Sequence, residues 1–83
     1  PGVPPGVRVR LVGVGAGSWV QVRRRSAAGP VLFEGTLAAG DSRLFRDRRR
    51  LAVRVGWAPS LRIRVNGRRF RLEGGTVDVL ATR

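Results

Sequence analysis

The sequence predicts an all-β fold, a small antiparallel β-sandwich of seven or eight short strands. Three observations carry this. Apolar residues alternate with polar ones at a period of two in one segment after another. Turn signals separate these segments every ~8–12 residues, the spacing of sandwiches and small barrels. No stretch sustains a helical period over a useful length.

Residues 1–6 (PGVPPG) read as the end of a Pro/Gly linker, and residues 7–83 as a single β-sandwich domain. The first strand begins at Val7, with Val7, Val9 and Leu11 alternating with Arg8 and Arg10. Gly13, Gly15 and Gly17 interrupt it. Residues 19–23 form the second strand, with Val20 and Val22 on one face and Trp19, Gln21 and Arg23 on the other. After a turn at residues 26–30, a third strand covers 31–35, with Val31 and Phe33 on one side. Leu37 precedes a reversal at Ala38-Ala39-Gly40-Asp41, and residues 42–46 are a candidate fourth strand. Leu51, Val53 and Val55 alternate with Ala52 and Arg54. The segment Gly56-Trp57-Ala58-Pro59 breaks the chain before Leu61, Ile63 and Val65, which alternate with Arg62 and Arg64. Asn66-Gly67 is the strongest hairpin signal, because both central positions of a type I′ turn require positive φ. Phe70 and Leu72 then alternate with Arg69 and Arg71, and Gly74-Gly75 turns the chain into Val77 and Val79. The expected core and its margin are Trp19, Val20, Val22, Phe33, Leu37, Leu51, Val53, Ile63, Val65 and Phe70.

The 83 residues suit one domain, and the apolar content of 42% is adequate for a small core. The longest apolar run falls far short of the ~20 residues of a membrane span. Because the sequence opens at Pro1 without Met, it is expected to be a piece of a longer protein. The net charge is +12, carried by 17 basic residues that are all arginine, against Glu34, Asp41, Asp47, Glu73 and Asp78. Without Cys, neither a disulfide framework nor a thiol nucleophile is available. Without His and Cys no ordinary zinc site forms, and without His or Lys the four serines lack their usual activating bases. No cofactor or metal is expected, and the chain reads as non-enzymatic.

Two constellations suggest chemistry and are better explained structurally. Gly13-x-Gly15-x-Gly17 resembles a phosphate-cradling loop, but that fingerprint needs a helix after it, and residues 18–22 continue at strand period. Asp41 and Asp47 are a pair of carboxylates close in sequence. Asp41 falls in a turn, where bonding to its own backbone is the usual role, and Asp47 lies among arginines that keep it ionised.

The basic residues are the serious candidates. If residues 52–55, 61–65 and 69–72 are neighbours in one sheet, then Arg54, Arg62, Arg64, Arg69 and Arg71 share its outer face, with Arg68 just past the hairpin turn. Arg23, Arg24 and Arg25, and Arg46, Arg48, Arg49 and Arg50, form two basic loops. Arginine engages phosphate and carboxylate bidentately. Such a face suits an anionic partner, or it is a solvated face whose Arg stems cover the apolar layer below. Nucleic acid is the less favoured partner, since Trp19, Trp57, Phe33, Phe45 and Phe70 do not interleave with the arginines as stacking platforms.

Four signatures then occur in order: Ser18-Trp19-Val20-x-Val22; Gly29-x-Val31-Leu32-Phe33-x-Gly35-x-Leu37-x-x-Gly40-Asp41-Ser42; Leu51-x-Val53-x-x-Gly56-x-Ala58; and Val65-Asn66-Gly67. Together they resemble the C-terminal extracytoplasmic domain of RodZ-like bacterial cell-shape proteins, over residues 7–80. The resemblance implies a β domain outside the cytoplasmic membrane, joined by a flexible linker to a single membrane helix and a cytoplasmic helix-turn-helix domain. It implies a role in cell shape and wall elongation, with no catalytic residues to carry over. The partners it implies are cell-wall synthesis proteins or anionic envelope polymers and lipids, with the membrane engaged only through an upstream span. The chain departs from the family pattern at Arg23-Arg24-Arg25, where an acidic turn entry is more usual, and at Trp57, where a small polar residue is commoner.

Overall fold

A computed structural model describes residues 6–82, so residues 1–5 of the expected linker, and Arg83, lie outside the described residues. Each alternating segment becomes a strand. These are β1 (Val7–Gly13), β2 (Ser18–Arg24), β3 (Val31–Leu37), β4 (Ser42–Asp47), β5 (Arg50–Val55), β6 (Leu61–Val65), β7 (Arg68–Phe70) and β8 (Val77–Thr82), with one 3-10 turn at Ala58–Ser60. The eight strands form two four-stranded antiparallel sheets. Sheet A has the order β4-β1-β6-β7 and sheet B the order β3-β2-β5-β8.

The period of two decides which side of each sheet is dry. From sheet A, Val7, Val9, Leu11, Leu61 and Ile63 point inward. From sheet B come Val20, Val22, Leu37, Leu51, Val53, Val55, Val79 and Ala81. These are almost all β-branched or leucine side chains, which pack well on a pleated surface. At one open side of the sandwich the edge strands meet through Phe33 and Phe45, with ring centroids 5.8 Å apart, and the Arg43 guanidinium lies 5.0 Å over the Phe33 ring. Arg43 stands opposite buried Leu11, so it occupies an inward position at the rim that only a long snorkelling side chain can hold.

Two core expectations are corrected. Phe70 is 46% exposed. It has the inward parity of its partner Ile63, but β7 is a three-residue edge strand and leaves most of the ring uncovered. Trp19 is 37% exposed because its outward parity on β2 places it over Gly56, where a Cβ would lie 3.4 Å from the Trp19 Cβ. Phe33 and Val65 pack against the core while only partly buried.

The turns are built as their residues demand. Gly15 and Gly17 take positive φ, and β2 follows directly with no helix. A Cβ at Gly13 would lie 2.6 Å from the Leu37 carbonyl oxygen, so the end of β1 can pass this close to the β3–β4 turn only with glycine. Asn66 and Gly67 have φ of 54° and 81°, as a type I′ turn requires. Asn66 does more than turn the chain. Its Oδ1 accepts from the Arg8 N–H at 2.8 Å, and its Nδ2 donates to the Thr82 carbonyl at 3.1 Å, linking the β6–β7 turn to both sheets. Asn66→Gly keeps the backbone geometry and removes these bonds. It is expected to cost about 1 kcal/mol in urea unfolding, the net value of an exposed bond or two.

Candidate functional site

The two outer faces differ in kind. On sheet A, the register sets Arg46 opposite Arg8, and Leu44, Arg10, Arg64 and Arg69 in one row. The next row holds Ser42, Val12 and Arg62. Arg8, Arg10, Arg46, Arg62, Arg64 and Arg69 are all exposed, and Arg71 follows just beyond the end of β7. Directly opposed residues sit ~4.5–5.5 Å apart at Cβ, and like charges so placed are destabilising. Among the described residues, none of these arginines makes a salt bridge. Arg10 donates to Ser42 Oγ at 3.3 Å and Arg64 to the Gly67 carbonyl at 3.5 Å. The face therefore holds a grid of guanidinium groups without carboxylate partners, at positions set by the sheet register.

Sheet B carries a mixed outer face. Arg54 Nε donates to Asp78 Oδ1 at 2.9 Å, and Gln21 Nε2 to Glu34 Oε1 at 2.6 Å. The bond from Arg54 holds the Asp78 carboxyl below its usual range, and the same bond raises Arg54.

This arrangement corrects the expected binding face. Residues 52–55 are not in the same sheet as residues 61–65, because β5 pairs with β2 and β8. Arg54 therefore lies on the opposite side of the molecule from Arg62, Arg64 and Arg69, and it is already paired. Arg68 stands opposite Val65, so its parity is inward at the rim rather than on the grid. The basic loops are also divided. Arg46 belongs to the grid. Arg23 is half-buried and braces the β2–β3 turn, donating from Nε to Gln21 Oε1 at 3.0 Å and from a terminal nitrogen to the Gly29 carbonyl at 2.9 Å. Arg24 pairs with Asp47 at 3.1 Å. Arg48 and Arg49 are exposed in the β4–β5 turn, and Arg25 and Arg50 lie together on the sheet B side. Arg8 and Arg10, which belong to the grid, were not singled out from sequence. Their alternation in β1 matches that of β6, but only the pairing of β1 with β6 makes them neighbours.

The carboxylates have structural work. Asp41 Oδ2 accepts from the Ala38 N–H at 2.9 Å within the turn. Asp47 Oδ2 accepts from the N–H groups of Arg49 and Arg50 at 2.9 and 3.1 Å, and these bonds, with the charges of Arg24 and Arg25, hold its pKa below the usual value. A depressed folded-state pKa stabilises the fold above the unfolded value of ~3.9 and is lost as pH falls through the folded value. Asp47→Ala is thus expected to cost about 1–2 kcal/mol at pH 7, and the gap to the parent should narrow in thermal melts as pH falls below the unfolded carboxylate value of ~3.9.

A family model for the RodZ C-terminal domain matches residues 11–82. No curated protein and no solved structure matches the chain. With that match spanning β1 to β8, the chain belongs to the RodZ C-terminal domain family.

Proposed function

We propose that this RodZ-like cell-shape domain is a non-enzymatic, extracytoplasmic interaction module whose sheet A face binds anionic envelope components through their phosphate groups. The observation that carries this reading is the grid of Arg8, Arg10, Arg46, Arg62, Arg64 and Arg69, with no carboxylate among them. Opposed like charges cost stability, and a bound polyanion offsets that cost. Guanidinium groups two residues apart along a strand stand on the same side and offer forked donors to successive phosphates. Family membership supports the setting, a domain tethered outside the cytoplasmic membrane by an upstream span and placed beside wall-synthesis proteins. The structural roles of Asp41 and Asp47 support the non-enzymatic reading.

Nucleic acid offers the same phosphate chemistry, but the residues between the arginines are Leu44, Val12 and Ser42, and none of these can stack on a base. Titration against vesicles containing anionic lipid, anionic wall polymer, and single- and double-stranded DNA separates the readings. Vesicle or polymer binding should weaken as salt rises, and DNA binding should be lost by about 200 mM salt. Sub-micromolar DNA binding that survives that salt would overturn the envelope assignment.

A further inference from the structure

A second site lies on the other sheet. Ala52 is a small residue at the centre of the outer face of sheet B, with Arg23 and Leu80 opposite it on the neighbouring strands. Arg50 and Arg54 flank it two positions away on its own strand, on the same side. One short side chain among four long ones leaves a depression, and the β2–β3 turn walls one end of it. The result is a half-open cavity of about 330 Å³, close to the lower limit for small-molecule sites.

The polar groups around it are of two kinds. Arg23 and Arg54 are already engaged, with Gln21 and Gly29 and with Asp78, and act as fixed walls. Arg25 and Arg50 are brought together at one end, because the Arg25 N–H donates to the Arg50 carbonyl at 3.0 Å. Among the described residues, neither guanidinium makes a salt bridge, although the Arg25 charge also acts on Asp47. At the other end, Leu80 is 53% exposed beside Ala52. Asp78 disfavours a second negative charge there.

We propose that this depression binds a small amphiphilic anion, with its phosphate or carboxylate on Arg25 and Arg50 and a short apolar tail over Ala52 and Leu80. The site is independent of the sheet A grid, which lies on the far side of the sandwich.

The test titrates the full chain with hexyl phosphate and with inorganic phosphate, following backbone amide shifts. Hexyl phosphate should bind at least ~10-fold more tightly than inorganic phosphate, the gain from burying about two methylenes. The shifts should centre on Arg50, Ala52 and Leu80. Ala52→Leu fills the depression without changing charge and should reduce hexyl phosphate to the level of inorganic phosphate. Arg50→Gln should weaken hexyl phosphate by ~10-fold, as loss of a charged hydrogen bond does. Arg62→Gln with Arg64→Gln, on the other face, should leave the affinities read at the Arg50, Ala52 and Leu80 amides unchanged, whatever it does to phosphate shifts on sheet A. At the Arg50, Ala52 and Leu80 amides, equal binding of the two probes, binding unchanged in Ala52→Leu, or sensitivity to the Arg62 and Arg64 changes would overturn the proposal.

Discussion

Leu11→Ala is expected to lower the stability of the fold by about 3 kcal/mol, within the 2–5 kcal/mol range for leucine truncation in a packed core. Leu11 is fully buried on β1, which lies between β4 and β6 and pairs with both. It stands between Arg43 and Ile63, so its side chain fills the inner layer where sheet A faces sheet B. Nothing at a central strand can collapse into the space without moving both neighbours. For a domain of 83 residues, total stability is expected to be ~4–12 kcal/mol. The loss is therefore a large share of the whole. Urea unfolding should show the midpoint fall by about 2–3 M with the slope nearly unchanged. Phe70→Ala provides the contrast. The ring is larger, but it is 46% exposed, and the expected cost is about 1 kcal/mol. If the two substitutions cost the same, the division between core and rim drawn above is wrong.

Changing Arg10, Arg62, Arg64 and Arg69 together to Gln should weaken binding to anionic vesicles by about a thousand-fold, at ~1 kcal/mol per arginine near an anionic surface. The same variant should be no less stable than the parent, and slightly more so, because opposed like charges are removed. That pairing of outcomes distinguishes a binding face from a structural one. Changing Arg54 to Gln provides the control on sheet B. It breaks the pair with Asp78, which is exposed on both sides, so little stability is lost, and vesicle affinity should barely change.

The strands were legible in the sequence because alternation is a local property. Val7-Val9-Leu11, Leu51-Val53-Val55 and Leu61-Ile63-Val65 each state their own buried side, and the Asn66-Gly67 turn states its own backbone geometry. The partnership of strands is not local. The β5 and β6 segments are close in sequence and similar in pattern, which suggested one sheet. The link through Trp57 and the 3-10 turn instead carries the chain across the sandwich, anchored where the Trp57 N–H donates to buried Ser18 Oγ at 2.9 Å. That single crossover moves Arg54 to the far face and leaves its place beside Arg62 and Arg64 to Arg8 and Arg10. The arginine grid was thus half visible: its residue types and parity could be read, its membership could not. Phe70 and Trp19 were misplaced for a related reason, since an aromatic residue on a strand signals burial only where another layer covers that position. The depression over Ala52 had no sequence signal, because it arises from one small side chain among neighbours on three strands.

The assignment of the anion-binding face is tested most directly by mapping it. Backbone amide shifts should be followed while the full chain is titrated with anionic and with zwitterionic bicelles at about 0.15 M salt, where unspecific surface attraction is screened beyond ~8 Å. The expected result is perturbation with anionic bicelles alone, concentrated at Arg8, Arg10, Arg46, Arg62, Arg64 and Arg69, with Gln21, Glu34 and Asp78 unmoved. Perturbation centred on those sheet B residues, or equal perturbation by both kinds of bicelle, would contradict it.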